Sequence, residues 1–121
     1  MLYIQNQNVI YPIQCAKVSH ILASNRSMEV CLNNGGKYPV RYVTLQQLLE
    51  AADVWYFLQC SRSGIINANY VRNIDYTNRV ITMCNSDQIA IGSTYVRSLH
   101  EQFPTMQELW QRRQNRCMFF E

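Results

Sequence analysis

The chain has 121 residues, 48% of them apolar, with a formal net charge of +3. That suits one domain with a real core and excludes a disordered, charge-driven chain. No apolar run approaches the roughly 18 residues a bilayer span needs, and no charged leader with an apolar core opens the chain, so the expected setting is the cytoplasm, away from membranes.

The first third alternates like β structure. Leu2 to Gln5 and Val9 to Ile13 are strand candidates, broken by Asn6-Gln7-Asn8 and stiffened by Pro12. Val18 to Ala23 reads as a strand, Ser24 to Ser27 as a turn, and Met28 to Leu32 as the returning strand. Asn33-Asn34-Gly35-Gly36 is the strongest turn signal, since these residues tolerate positive φ. Tyr38 to Val43 follows as an edge strand, because Pro39 cannot donate to a ladder on both sides.

One helix has clear grammar. Thr44 can cap it, Gln47 completes a capping box, and Leu45, Leu48 and Leu49 share a face. A strand then runs through Trp55 and Phe57 to Cys60, a loop carries Arg62 and Ser63, and strand pattern resumes at Ile65, Ile66, Val71 and Ile74. Val71 to Asp75 and Val80 to Cys84 form a hairpin turned at Thr77-Asn78, and Gln88 to Ile91 is the last strand. Ser93 or Thr94 is placed to cap a short helix with Val96, Leu99 and Phe103 on one side, ended by Pro104. In the tail, Thr105 and Glu108 form another possible capping box, and Arg112, Arg113 and Arg116 precede Cys117-Met118-Phe119-Phe120. Trp110, Met118, Phe119 and Phe120 read as residues that dock on the body or on another copy. The chain is mainly β with two or three short helices.

Of the 11 basic residues only Lys17 and Lys37 are lysine; the rest are arginine, the side chain suited to bidentate grip of phosphates and base edges. The 5 cysteines are odd in number and widely spaced, with no CxxC pair, which argues against a disulfide framework or a zinc site and for buried free thiols in a reducing compartment. His20 sits in an alternating strand and His100 on a helix, and no phosphate loop, paired carboxylates or nucleophile elbow is present. No enzyme, cofactor or metal site is expected.

The stretch FLQCSRSGIINANYVRNID, Phe57 to Asp75, resembles the central segment of the LytTR family of bacterial DNA-binding domains: a bulky aromatic, a basic residue before a serine, two β-branched residues and an asparagine. The likeness is clearest from Val18 to Leu99, with agreement also in the opening hairpin, the Leu-x-x-Leu-Leu helix and the closing segment from Ile89. It implies an elongated fold of short antiparallel strands and hairpins, with residues 1–103 forming the domain and 104–121 a helical extension of the same unit. It further implies transcriptional control by loops laid into successive major grooves of double-stranded DNA, often at direct repeats.

On that resemblance the contacts fall at Asn25 and Arg26, Arg62 and Ser63, and Ser93 and Thr94, with Asn67 matching the family's asparagine and Arg97 a basic phosphate contact. By residue type alone, Asn67 favours a loop-bracing bond to backbone over a base contact. Ser61 stands where a histidine is common, and the third site lacks the usual arginine. The rival reading is a protein-interaction module on the same fold, without tight DNA binding, that modulates a partner regulator. Self-association is a further expectation. Many family members carry an upstream receiver domain, for which this length leaves no room; the switch would then be concentration, a partner or a ligand, unless the chain is a piece of a longer regulator.

Overall fold

The protein is described by a computed structural model covering residues 1–25 and 27–111. It opens with a hairpin of β1 (Leu2–Asn6) and β2 (Val9–Ile13), in which Leu2 pairs with Ile13 and Tyr3 with Pro12. Leu2, Ile4 and Ile13 are buried while Tyr3 is exposed, the period-two alternation of a half-buried strand. This is a two-stranded sheet, so Pro12 leaves no second neighbour short of a donor.

A five-stranded antiparallel sheet follows, in the order β5-β4-β3-β7-β6. Its strands are β3 (Val18–Ser24), β4 (Ser27–Leu32), β5 (Lys37–Arg41), β6 (Phe57–Ser61) and β7 (Gly64–Asn67). Pro39 lies on the edge strand, as its missing N–H requires. That strand ends two residues earlier than its sequence suggested, because Tyr42 takes φ +66° and turns the chain toward α1 (Leu45–Ala52). Thr44 Oγ1 accepts from Gln47 N at 3.1 Å and Gln47 Oε1 accepts from Thr44 N at 3.0 Å, completing the predicted capping box. Leu45 and Leu48 are buried in a core with Ile4, Ile21, Val30 and Ile65.

Trp55 is not in a strand: it stands in the turn before β6 and is exposed. The strand pattern that resumes at Ile65 is shared between two strands, in keeping with the hairpin expected from Val71. A 3-10 turn at Ala68–Tyr70 breaks it, and β8 (Val71–Asp75), β9 (Val80–Met83) and β10 (Gln88–Ala90) form a separate sheet in the order β10-β9-β8. A second core lies here, made by Ile66, Ile81, Met83, Ile89, Ile91 and Leu99, the last on α2 (Val96–Gln102). Successive residues of a strand face opposite ways, so Ile65 enters the first core and Ile66 the second. The unbroken apolar pair is the mark of a strand covered on both faces.

Asn67, which matches the family's asparagine by position, takes the loop-bracing role that its residue type favours. It is wholly buried, its Nδ2 donates to Val18 O at 2.8 Å, and its Oδ1 accepts from Asn69 N at 2.9 Å. Both ends of the amide are used inside the protein, so it shapes the exit from β7 and presents nothing to a duplex. His20 is a packed residue, as its strand context implied, but it is also a link. Its Nδ1 lies 2.9 Å from Ser19 Oγ, and its Nε2 lies 3.4 Å from Asp87 Oδ2 in the turn between β9 and β10, so it joins the two larger sheets. Burial pushes its pKa below 6.5, with Asp87 and Glu29 pulling it up and Lys37 down.

Cys15, Cys31 and Cys60 are buried free thiols, and burial pushes Cys31 and Cys60 up to about 11, which keeps them protonated and inert. Cys84 departs from the expected burial: β9 stops at Met83 and leaves it exposed in the turn. Past Pro104, residues 106–111 are helical, capped by Glu108 N to Thr105 Oγ1 at 3.1 Å and Thr105 N to Glu108 Oε2 at 3.3 Å. Glu108 Oε1 also meets His100 Nδ1 at 3.3 Å, and the His100 ring stacks on Tyr76 at 3.8 Å. Trp110 and Met106 remain exposed, so Trp110 does not dock on the body; Arg112, Arg113, Arg116 and Cys117 to Phe120 lie outside the described residues. Among the described residues no helix is long and apolar enough to cross a membrane.

Replacing Asn67 with Ala strands the Val18 carbonyl and the Asn69 amide, so it should cost about 2–3 kcal/mol in denaturant unfolding; a loss below about 0.5 kcal/mol would remove its bracing role. The His20 linkage has a definite sign. Its folded pKa lies below its unfolded one, so its contribution is full above about pH 6.5 and is lost as pH falls from there toward the folded pKa. Melting temperature should therefore fall by a few degrees, on the order of 2–5 °C, between pH 7.5 and 5.5, and His20→Phe should flatten that dependence. Parallel decline in both proteins would assign the effect elsewhere.

Candidate nucleic-acid interface

Three turns carry the polar residues singled out by the sequence. The first joins β3 to β4, where Ser24 pairs with Ser27 and two residues span the gap. Asn25 takes φ +52° there, a left-handed conformation that asparagine tolerates and that matches the twist of a two-residue hairpin. It is exposed; Arg26 lies outside the described residues.

The second turn joins β6 to β7. Ser61 pairs with Gly64, so Arg62 and Ser63 form the tip of a tight hairpin, both exposed. A bulge between Gln59 and Ser61 sharpens the twist just before it. Ser63 N donates to Ser61 Oγ at 3.2 Å, and Gln59 Nε2 donates to Ser61 O at 3.0 Å. Ser61 thus braces the tip from the position where the resemblance led one to look for a histidine. Gly64 suits a close approach: a Cβ there would meet Cys60 Sγ and Ser61 Oγ at 3.1 Å each, so both would have to give way slightly.

The third is the 3-10 turn Ser93–Tyr95 ahead of α2. Neither Ser93 nor Thr94 caps that helix; Tyr95 occupies the cap position with no side-chain hydrogen bond. The sequence assigned them a capping role, but the intervening 3-10 turn carries them away from the helix's first N–H groups. Both are exposed, and among the described residues neither hydroxyl has a protein partner.

Backbone hydrogen bonds fasten the three turns together. Ala23 N donates to Ser63 O at 2.8 Å, which ties the end of β3, two residues before Asn25, to the Arg62 tip. On the other flank Gly92 N donates to Cys60 O at 2.9 Å. The approach is close: a Cβ on Gly92 would lie 3.4 Å from Ser61 Cα and 3.0 Å from the Tyr95 ring. Asn25, Arg62 with Ser63, and Ser93 with Thr94 therefore stand in one row at one end of the five-stranded sheet. Asn67 is excluded from it, at the far end of β7. Arg97 is the second residue of α2, 93% exposed, its Nε 3.7 Å from Glu101 Oε1. A solvated i,i+4 pair of that kind is weak and leaves the guanidinium available.

Arg62 could have been an internal ion-pair partner, Asp75 being the nearest reading by sequence. Asp75 instead accepts from Asn78 N at 3.0 Å and Asn78 Nδ2 at 2.8 Å, bonds that hold its carboxyl below the usual range. Among the described residues no carboxylate pairs with Arg62. One residue of the row carried no sequence signal. Ile91 N donates to Arg79 O at 2.9 Å, which puts the last residue of the β8–β9 turn beside the start of the third turn. A lone arginine closing a turn has nothing in the sequence to distinguish it.

A free guanidinium on a rigid tip can donate two parallel hydrogen bonds to a guanine edge, and exposed hydroxyls can bond phosphate or base. Among solved structures, the chain superposes on a LytTr DNA-binding domain from Bacillus cereus with a TM-score of 0.71, over 86% of this chain and 96% of that one, at 18% sequence identity. At that identity the likeness speaks for the fold. No curated protein matches the chain. The family model for the LytTr DNA-binding domain, however, matches residues 8–104, and the protein belongs to the LytTR family of DNA-binding domains.

Proposed function

We propose that this protein is a sequence-specific regulator of transcription that binds double-stranded DNA by inserting loop side chains into successive major grooves, at direct repeats. The observation that carries this reading is the fastening of three turns, distant in sequence, into one exposed row by the Ala23–Ser63 and Cys60–Gly92 backbone bonds. In the proposed complex Arg62 reads a base pair, Asn25 and Arg26 approach a neighbouring segment of the site, and Ser63, Ser93, Thr94 and Arg97 hold phosphates. Contacts to phosphate orient the protein, and the base contact carries the sequence information.

The proposed unit comprises residues 1–103 with 104–121 as its helical extension. The His100–Glu108 contact and the Tyr76 stack support the attachment of the extension's first turn. The rival reading, a module that pairs with another regulator, draws on the exposed aromatics Tyr3 and Tyr42, which flank a cleft of about 1200 Å³ between the first hairpin, β5 and α1. It leaves the clear arginine tip and the free hydroxyls of the row without a purpose, so the DNA reading is preferred. No enzymatic step is proposed.

Selection of sites from a random duplex library with the purified chain should enrich a short direct repeat, and binding to it should weaken steeply with salt. A folded protein that enriches nothing and binds scrambled DNA equally would defeat the proposal. On the enriched site, Arg62→Ala should cost about 1–3 kcal/mol and relax the preference at one base pair. Arg97→Ala should instead weaken all sequences alike and reduce the slope of log affinity against log salt by about one. Equal binding by Arg62→Ala and wild type would show that the tip is not the reading loop.

A further inference from the structure

The row of turns holds more cationic reach than its three assigned segments. Its third turn offers hydroxyls alone, and a single hydroxyl discriminates base pairs less sharply than a bidentate guanidinium. The three-stranded sheet, however, approaches that turn. Ala90 pairs with Val80, and the ladder continues one step further through Ile91 N to Arg79 O at 2.9 Å. The next residue, Gly92, is the one bonded to Cys60 O. Arg79 and Ser93 are thus separated by a single rung of backbone and a glycine, although 13 residues of sequence and two strands intervene.

Three further observations bear on Arg79. It is exposed, and among the described residues no carboxylate pairs with it; the acid in its own turn, Asp75, is occupied by Asn78. Its backbone takes φ +53°, where glycine or asparagine would sit with less strain. And its turn is braced by the Asp75–Asn78 bonds and flanked by the paired Asp75 and Val80. An arginine on a hydrogen-bonded turn, beside a turn proposed to face a groove and lacking an arginine of its own, has the attributes of a reading residue.

We infer that Arg79 is a second base-reading arginine, working beside Ser93 and Thr94 and contacting a base pair different from that read by Arg62. The inference rests on the DNA-binding reading above. Arg79 reaches the groove from the small sheet while Arg62 reaches it from the large one, so the two sample separate positions of the same half-site.

Two variants test it. Arg79→Gly removes the guanidinium while accepting the positive φ, and Arg79→Lys keeps a charge without the planar fork; both are first checked for wild-type thermal unfolding. The probe is the duplex selected by the wild-type chain, together with its set of single base-pair changes and a scrambled duplex. Arg79→Gly should weaken the selected site roughly ten-fold or more and lose preference at a position that Arg62→Ala leaves intact, and Arg79→Lys should not restore that preference. Wild-type affinity in Arg79→Gly, an equal loss on selected and scrambled DNA, or full rescue by lysine would each overturn the inference. The two readings fail separately. If the wild type selects no site, both fall; if it selects one and Arg62→Ala relaxes it while Arg79→Gly does not, only the role of Arg79 falls.

Discussion

The hydrogen bond from Ala23 N to Ser63 O is the constraint on which the rest of this surface depends. A two-residue hairpin tip projecting from a sheet is ordinarily the most mobile part of it. Here the tip is pinned on one flank by β3 and, two residues before it, on the other flank by Gly92. Ser61 fills the remaining gap by accepting from Ser63 N. With both backbone groups of Ser63 bonded, the tip is held close to the sheet that carries it. Pre-organisation of that kind reduces the ordering cost of binding, so more of each contact appears as affinity.

Those pins are effective because β7 is a wall between two cores. It pairs with β3 on one side and β6 on the other, sends Ile65 into one core and Ile66 into the other, and ends at an asparagine with no exposed surface. Moving the tip would shift a strand packed on both faces, which dense interiors resist. Asn67 and His20 reinforce the same joint in different ways. Asn67 holds the chain as it leaves β7 for the smaller sheet, and His20 reaches across to the turn of that sheet through Asp87. The relative placement of the two sheets sets the relative placement of the turns.

A net charge of only +3 gives little general attraction to DNA. On the proposed reading, discrimination comes from where the arginines stand rather than from how many there are. Exposed guanidinium groups without internal partners retain their full donor capacity, whereas a dense basic patch would favour any duplex. The hydroxyls of Ser93 and Thr94 fit the same economy, holding position while others read sequence.

Much of the framework was legible in the residues. The hairpins, the Pro39 edge, the Thr44–Gln47 capping box and the Thr105–Glu108 box all follow from local rules of backbone geometry, which act over a few residues and so leave their mark in a few residues. The Arg62-Ser63 tip was legible for the same reason, lying between two apolar strands and followed by Gly64. What failed were inferences that needed a partner distant in sequence. The bracing role of Asn67 suited its residue type, but its full burial and its partner, the Val18 carbonyl across the sheet, had no mark in the sequence. Ser93 and Thr94 had the composition of caps, but the chain leaves Gly92 in a 3-10 turn and places their hydroxyls elsewhere. Trp55 carried a strand-forming side chain into a turn. Sequence by itself determined which segments would pair locally and where the tight turns would fall. Only the tertiary structure decided which turns share a row and that Arg79 stands beside them, because adjacency of distant segments is settled by sheet order and packing, and these have no local code.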